Sequence, residues 1–473
     1  MFTTAGPLAS VLDVTDLQEP ASPYLTGAWA PVQEESTCVD LQVTGQLPAA
    51  LRGRYLRNGP NPAFAPLGRY HVFDGDGMVH AVELDEGTAR YRNRWVRSRG
   101  LEAERRAGRA LFGGLSSYQL PPPELLAEAG IMKNTANTHV VHHAGRTLAL
   151  MEAAPPTELT EGLDTVGPYD FDGRLGGPMT AHPKVDPATG ELVFFGYSPV
   201  APYLRYHVAD PEGVLTTSVD VDLPRAVMMH DFGVSARRAV FFDLPAVFDL
   251  DALLSGGEGI RWEPDAGARI GVLDRSDPHG GVQWVEVEPF FMFHVLNAWD
   301  DGDAVVVEGC RSRRLNTSFG APLEEAIRPH LHRWRIDLGA GRVTEEQLDD
   351  RAGDFPRLDE RRAGQQARFG YLAHPRRWTE QDATFDGVVK HDLLDGTSSV
   401  HTYGDAAVSG EPLFVADPGR DAEDGGWLLN LVQDEEAGSG LVVLDAEDLH
   451  EVARVHVPVR VPSGFHGSWV AAG

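Results

Sequence analysis

Cysteine is nearly absent: Cys38 and Cys310 are the only two in 473 residues. That excludes a disulfide framework, leaves no thiolate cluster for a metal, and fits a reducing cytoplasm. Basic charge is short as well, with 41 Lys and Arg against 70 Asp and Glu and a formal net charge of −29. Such a chain lacks the basic footprint that nucleic-acid phosphates require, and charge does not draw it to an anionic lipid surface. What the charge favours is solubility. No apolar run approaches the ~18 residues that would span a bilayer. The start, "MFTTAGPLASVLDVTDLQEP", has neither a basic segment nor a long apolar core, so no secretory signal is expected. HExxH, GxSxG, a P-loop and a strand-following GxGxxG are all missing, so zinc proteolysis, serine hydrolysis and dinucleotide chemistry have no motif behind them.

What recurs is a short alternating segment, an Asp- or Gly-rich turn, and a second alternating segment. It reads so in "HAVELDEGTARYRNRWV", "VVHHAGRTLALME", "PKVDPATGELVFFGY", "RYHVADPEGVLTTSVDV", "RWRIDLGAGRVT", "VVKHDLLDGTSSVHTY" and "LVVLDAEDLHEVARVHV". Each is a predicted β-hairpin, because Gly supplies the positive φ of the turn, Asp bonds its own backbone, and Val, Tyr, Thr and Phe suit pleated positions. Length alone allows two or three domains or one large all-β architecture. Hairpins along the whole chain point to radial repetition of small sheets, a β-propeller, and seven hairpins favour seven blades. The expected organisation is an N-terminal arm, residues 1–40, followed by a single all-β propeller domain, residues 41–473. Two stretches, "LEAERRAGRALFGGLSSYQLPPPELLAEAGIM" and "DLPAVFDLDALLSGGEG", break the pattern with helical runs and Gly-rich loops, and such inserts cap one face of a propeller.

Of 18 histidines, four have a common setting. His182 in "GPMTAHPKVDP", His230 in "RAVMMHDFGVS", His294 in "FFMFHVLNAWDD" and His466 in "SGFHGSW" each follow an apolar or small run at the edge of an expected strand. Taken singly, each reads as a buried ring bonded to a neighbouring carbonyl. Taken together, strands of different blades converge on a propeller axis, where distant histidines meet. His330 and His332, in the Arg-rich "RPHLHRW", read as exposed, and His142 and His143 read as a solvated hairpin turn.

The four histidine settings, with "LRNGPNP", "HVFDGDGMVHAVEL", "KNTANTHVVHHAGRTLALME" and "GEPLFVADP", resemble the carotenoid cleavage oxygenase family, which includes carotenoid and apocarotenoid dioxygenases and lignostilbene dioxygenases. The likeness runs from about Leu51 to Trp469. It implies a seven-bladed propeller with one catalytic Fe(II) per chain, held on the axis by His182, His230, His294 and His466. Four neutral imidazoles suit a borderline divalent ion. The resemblance also implies three outer carboxylates that orient the imidazoles. Two fall on Glu152 and Glu411. The third falls on Asp354, where relatives more often carry glutamate; one methylene shorter, it would reach its histidine through a shifted backbone or a water.

The implied reaction is oxidative cleavage by O2 of a conjugated C=C bond into two carbonyl products, with no external reductant. A dry tunnel would place the alkene, and Phe64, Trp95, Phe293 and Phe465 are candidate walls, although such aromatics are more often core. Relatives that act on stilbenes hold the phenol with a tyrosine and a lysine. Lys133 could serve as that lysine, while Trp95 stands about where the tyrosine would help. The expected substrate is therefore a carotenoid or apocarotenoid, with a lignostilbene or propenylphenol as the alternative. A non-catalytic scaffold would be favoured by loss of an axial histidine, and all four are present. No nucleic acid and no transmembrane segment are expected, which leaves room for peripheral membrane contact at the tunnel mouth.

Overall fold

A computed structural model of the protein describes residues 22–315, 327–378, 384–435 and 437–472. Residues 1–21 of the expected arm lie outside them. Seven sheets of four or five strands are arranged as the blades of a propeller, joined by a separate two-stranded hairpin. Local turn chemistry sets the blades. Glu86 and Gly87, at φ +47° and +83°, close the hairpin of Gly77–Asp85 with Thr88–Trp95; Ala144 and Gly145, at +50° and +74°, close that of His139–His143 with Arg146–Leu150. Both turns have the paired positive φ that matches strand twist.

The seven expected hairpins all form, but they are not spread one to a blade. Lys184–Val185 with Leu192–Tyr197 and Leu204–Ala209 with Leu215–Val221 share a single sheet. The blade built from Gly233–Val234, Arg238–Asp243, Ala268–Asp274 and Val282–Val287 corresponds to none of the quoted hairpins. Its middle strands are separated by the second insert, which folds as the hairpin Ala246–Phe248 with Ile260–Trp262 around the helix Leu250–Leu254. The first insert forms the helices Arg99–Ala107, capped by Ser98 Oγ on the Leu101 N–H, and Pro123–Ala129.

Both chain ends close the ring. Gly467–Ala471 adds to Gly53–Pro60 as the terminal strand of the first blade, and Val43–Gly45 adds to Glu451–Val457 on the last. Apolar side chains fill the space between blades: Phe242 and Trp334 from neighbouring sheets join one cluster with Phe290 from the connection between those sheets, and Phe290 and Trp334 stack at 5.1 Å. Burying each such ring contributes about 1.5–3 kcal/mol. This wedge packing makes the terminal strand a structural necessity, and it carries His466 at its base.

Two of the histidine expectations are corrected by burial. His143 is not solvated at its turn; it is buried with Nε2 3.0 Å from the Gly190 carbonyl oxygen, while His142 is half-buried. His332 is not exposed either. It lies in a strand flanked on both sides, with Nδ1 2.9 Å from Glu345 Oε1, so the neighbouring arginines do not mark a surface there.

Candidate metal centre

His182, His230, His294 and His466 come from four different blades and meet on the propeller axis. At each the chain leaves the regular ladder. His182 and His230 precede the short strands Lys184–Val185 and Gly233–Val234, His466 precedes Gly467–Ala471, and His294 sits where the pairing of Phe291–Asp301 shifts register. Such irregularities turn a side chain out of the pleat and toward the axis. All four rings are buried, and one nitrogen from each lies within 4.8 Å of the others.

Three carboxylates set the direction of the rings. His230 Nδ1 is 2.7 Å from Glu152 Oε2, His294 Nδ1 is 2.7 Å from Asp354 Oδ1, and His466 Nδ1 is 2.9 Å from Glu411 Oε1. With Nδ1–H donating outward, each Nε2 lone pair faces inward. The inward Nε2 of His294 is buried with no protein partner, and Nε2 of His182 stands 2.9 Å from Nε2 of His230. Two facing acceptors and an orphaned third fit a shared cation, and the group is compatible with a metal site. His182 is positioned through its backbone: its N–H donates to Thr180 Oγ1, whose hydroxyl donates to the His230 carbonyl.

Charge reinforces this geometry. Burial, and then the neighbouring imidazoles, hold His182 far below the ordinary histidine value. Burial also holds His466 low, against the pull of Glu411. Both rings therefore keep free lone pairs. Burial would raise the Glu411 carboxyl, but Arg357, His466 and His139 outweigh it and hold the group ionised. His230 differs: the desolvation is outweighed by Glu152, which lifts the ring above its usual value, so there a cation competes with a proton for Nε2.

Asp354 makes direct contact despite its shorter reach. The pairing of Asp354–Arg357 shifts register, and Phe355 takes φ +54° with its N–H donating to the same Asp354 oxygen. A non-glycine residue there is strained. Its ring stacks on His294 at 5.1 Å and lies 5.0 Å from His466.

An apolar cavity of about 380 Å3 leads to the centre, bordered there by His230, Glu152 and Phe293. The two inserts form much of its wall through Phe112, Leu115, Phe248 and Leu253. Phe64, Lys133 and Phe293 line it. Trp95 and Phe465 stand outside that lining. Trp95 packs with Met78 and Leu101 and donates its indole N–H to the Asn61 carbonyl; Phe465 backs Phe73, which does line the cavity.

Sequence reasoning passed over Phe355, Arg357 and His139. Arg357 lies 3.4 Å from Glu411 Oε1 and 3.3 Å from the Gly467 carbonyl, a role with no local signal. His139 follows the polar pair Asn137 and Thr138 instead of an apolar or small run, and its nitrogens face the carbonyls of Ala181 and Gly467 at 2.7 and 3.2 Å.

A seven-bladed propeller with four buried axial imidazoles at the end of an apolar cavity has the architecture of an alkene-cleaving oxygenase. Comparison with known proteins specifies the family. Residues 29–471 match the family described as Retinal pigment epithelial membrane protein. The carotenoid cleavage oxygenase of Mycobacterium tuberculosis is 38% identical over 503 residues, covering 95% of this chain and 98% of that protein. The isoeugenol monooxygenase of Pseudomonas nitroreducens is 33% identical over 475 residues, covering 95% and 98%. The crystal structure of a Pseudomonas brassicacearum lignostilbene dioxygenase superposes with a TM-score of 0.88 at 32% identity, covering 96% of this chain and 99% of that one. The chain belongs to the RPE65/carotenoid cleavage oxygenase family.

Proposed function

We propose that the protein is an iron(II)-dependent dioxygenase that cleaves one conjugated C=C bond of a carotenoid or apocarotenoid with O2, giving two carbonyl products. The carrying observation is the apolar cavity that ends at four inward-facing imidazoles. Iron bound by His182, His230, His294 and His466 would supply the activation of dioxygen. The chain's own residues do the rest. Glu152, Asp354 and Glu411 hold three rings in one tautomer, and Phe293, whose ring meets His230 edge-on at 5.2 Å, walls the cavity beside the centre. The apolar lining excludes water and holds a polyene in one register, so that a single double bond stands at the centre. Ile131 and Leu254 border the cavity and are exposed, which supports peripheral contact of its mouth with the lipid phase where such substrates dissolve. The two free cysteines support a reducing compartment.

A second reading, cleavage of a hydroxystilbene or propenylphenol, is supported by the similarity to a lignostilbene dioxygenase and an isoeugenol monooxygenase and by Lys133 at the border of the cavity. Its ammonium is already committed, with Nζ 2.9 Å from both Asp76 and Glu104 and all three side chains largely buried. Gly100 makes room for its stem, since a Cβ there would come within 2.5 Å of Lys133 Cγ. Desolvation alone would lower the amine, but the two carboxylates outweigh it and keep Lys133 charged. One cation against two anions leaves a net negative cluster, which repels a phenolate in a poorly screened site. The cluster therefore supports the polyene. Lys133→Met leaves Asp76 and Glu104 unpaired and is expected to lower thermal stability, but the folded variant is expected to keep kcat/KM for a long polyene within about three-fold, and wild type is expected to cleave 4-hydroxystilbene less efficiently than the polyene. Fast hydroxystilbene cleavage that collapses in Lys133→Met, without polyene turnover, would make the second reading the correct one.

A further inference from the structure

The four imidazoles stand between two cavities of different character. The apolar one touches the group through His230. A second, of about 390 Å3, is bordered by the other three rings, His182, His294 and His466. It is the more polar of the two, its wall mixing apolar side chains with three carboxylates, Asp231, Glu360 and Glu411, and three cations, Lys184, Arg357 and Arg361. Val185, Glu360 and Arg361 are exposed and mark its mouth.

We propose that this polar axial cavity is the path by which the divalent metal reaches and leaves the four imidazoles. The inference rests on the reading of that group as a metal centre. A divalent cation arrives hydrated; in the apolar cavity Asp76 and Glu104 are held by Lys133 and Glu152 by His230, and the rest of the wall offers little to replace the ion's water. The polar cavity offers oxygen at successive depths: Glu360 at the mouth, Asp231 and Glu411 on the wall. It offers no trap on the way. Lys184 Nζ lies 2.7 Å from Asp231 Oδ1, and Arg357 contacts both Glu360 and Glu411, so each of these carboxylates has a cation partner to return to. Among the described residues the four imidazoles are the one group of three or more metal-ligating side chains placed to hold an ion. The division of labour also leaves the apolar cavity to the alkene, so metal exchange does not require an empty substrate site.

Charge at the two mouths tests the path. Val185 and Leu254 are both exposed, the first on the polar cavity and the second on the apolar one. Full-length protein stripped by a chelator would be mixed with cobalt(II), and uptake followed by the visible absorption of the bound ion. Val185→Glu is expected to take up cobalt about five-fold faster than Val185→Arg at low ionic strength, the ratio shrinking toward unity near about 1 M salt. Final stoichiometry should be equal in both variants. The pair Leu254→Glu and Leu254→Arg should differ much less. An equal or larger separation in the Leu254 pair, or none in the Val185 pair, overturns the proposed path while leaving the centre intact. A wild-type protein that binds no cobalt at all overturns the metal reading, and the path with it.

Discussion

At His230 a single contact does two jobs. Glu152 Oε2, 2.7 Å from Nδ1, fixes which nitrogen carries the proton and supplies negative charge beside the ring. Glu152→Gln keeps the size and an acceptor oxygen but removes the charge. The expected result is a 10–100-fold loss in metal affinity or turnover, with thermal unfolding unchanged, read from cobalt titration and kcat/KM. Asp354 makes the opposite kind of prediction. Its carboxylate already lies 2.7 Å from His294 Nδ1, on a backbone shifted to bring it there. Restoring the glutamate more usual in relatives inserts a methylene where no gap exists. Asp354→Glu should therefore bind cobalt about ten-fold more weakly than wild type, not more tightly. The identity of Asp354 could be read in the sequence through the family likeness. The strained Phe355 that makes its short reach sufficient could not, because a positive φ at phenylalanine has no composition signal.

Among the elements, the hairpins were the legible part. Gly and Asp turns between alternating runs, as in "HAVELDEGTARYRNRWV", announce local pairing that needs no distant partner. The blade ending at Val287 was illegible for the converse reason: an insert separates its second and third strands, so no tight turn marks their pairing. His139 escaped notice because the polar Asn137 and Thr138 precede it, and its carbonyl partners lie on distant parts of the chain. The last strand, Gly467–Ala471, joins fold and site. It pairs with Gly53–Pro60, and the Gly467 N–H donates to Glu411 Oε2 at 2.8 Å. Deleting residues 467–473 should leave a chain without native near-UV circular dichroism and without cobalt binding, because ring closure and the Glu411 contact are lost together. A truncated chain that folds and binds cobalt normally would separate closure from the site.

Over the whole molecule, the propeller gathers His182, His230, His294 and His466 from positions spread across most of the chain. No local helix or strand could do so, which explains why spacing alone revealed no motif and only the family likeness tied the four together. The ring also sorts the surroundings of the centre into an apolar side lined by the inserts and a polar side along the axis. The formal charge of −29 belongs to this scale too; it bears on solubility, and none of the site contacts depends on its sum. The central claim is that these four imidazoles hold the iron with which a conjugated alkene is cleaved. The most direct measurement pairs iron analysis with product masses after incubating an apocarotenoid and O2 with wild type and with His294→Ala. Wild type should carry about one iron per chain and release two carbonyl fragments of the substrate, whereas His294→Ala should lose most of the iron and all of the products. Undiminished cleavage by His294→Ala, or by wild type stripped of metal, would contradict the account.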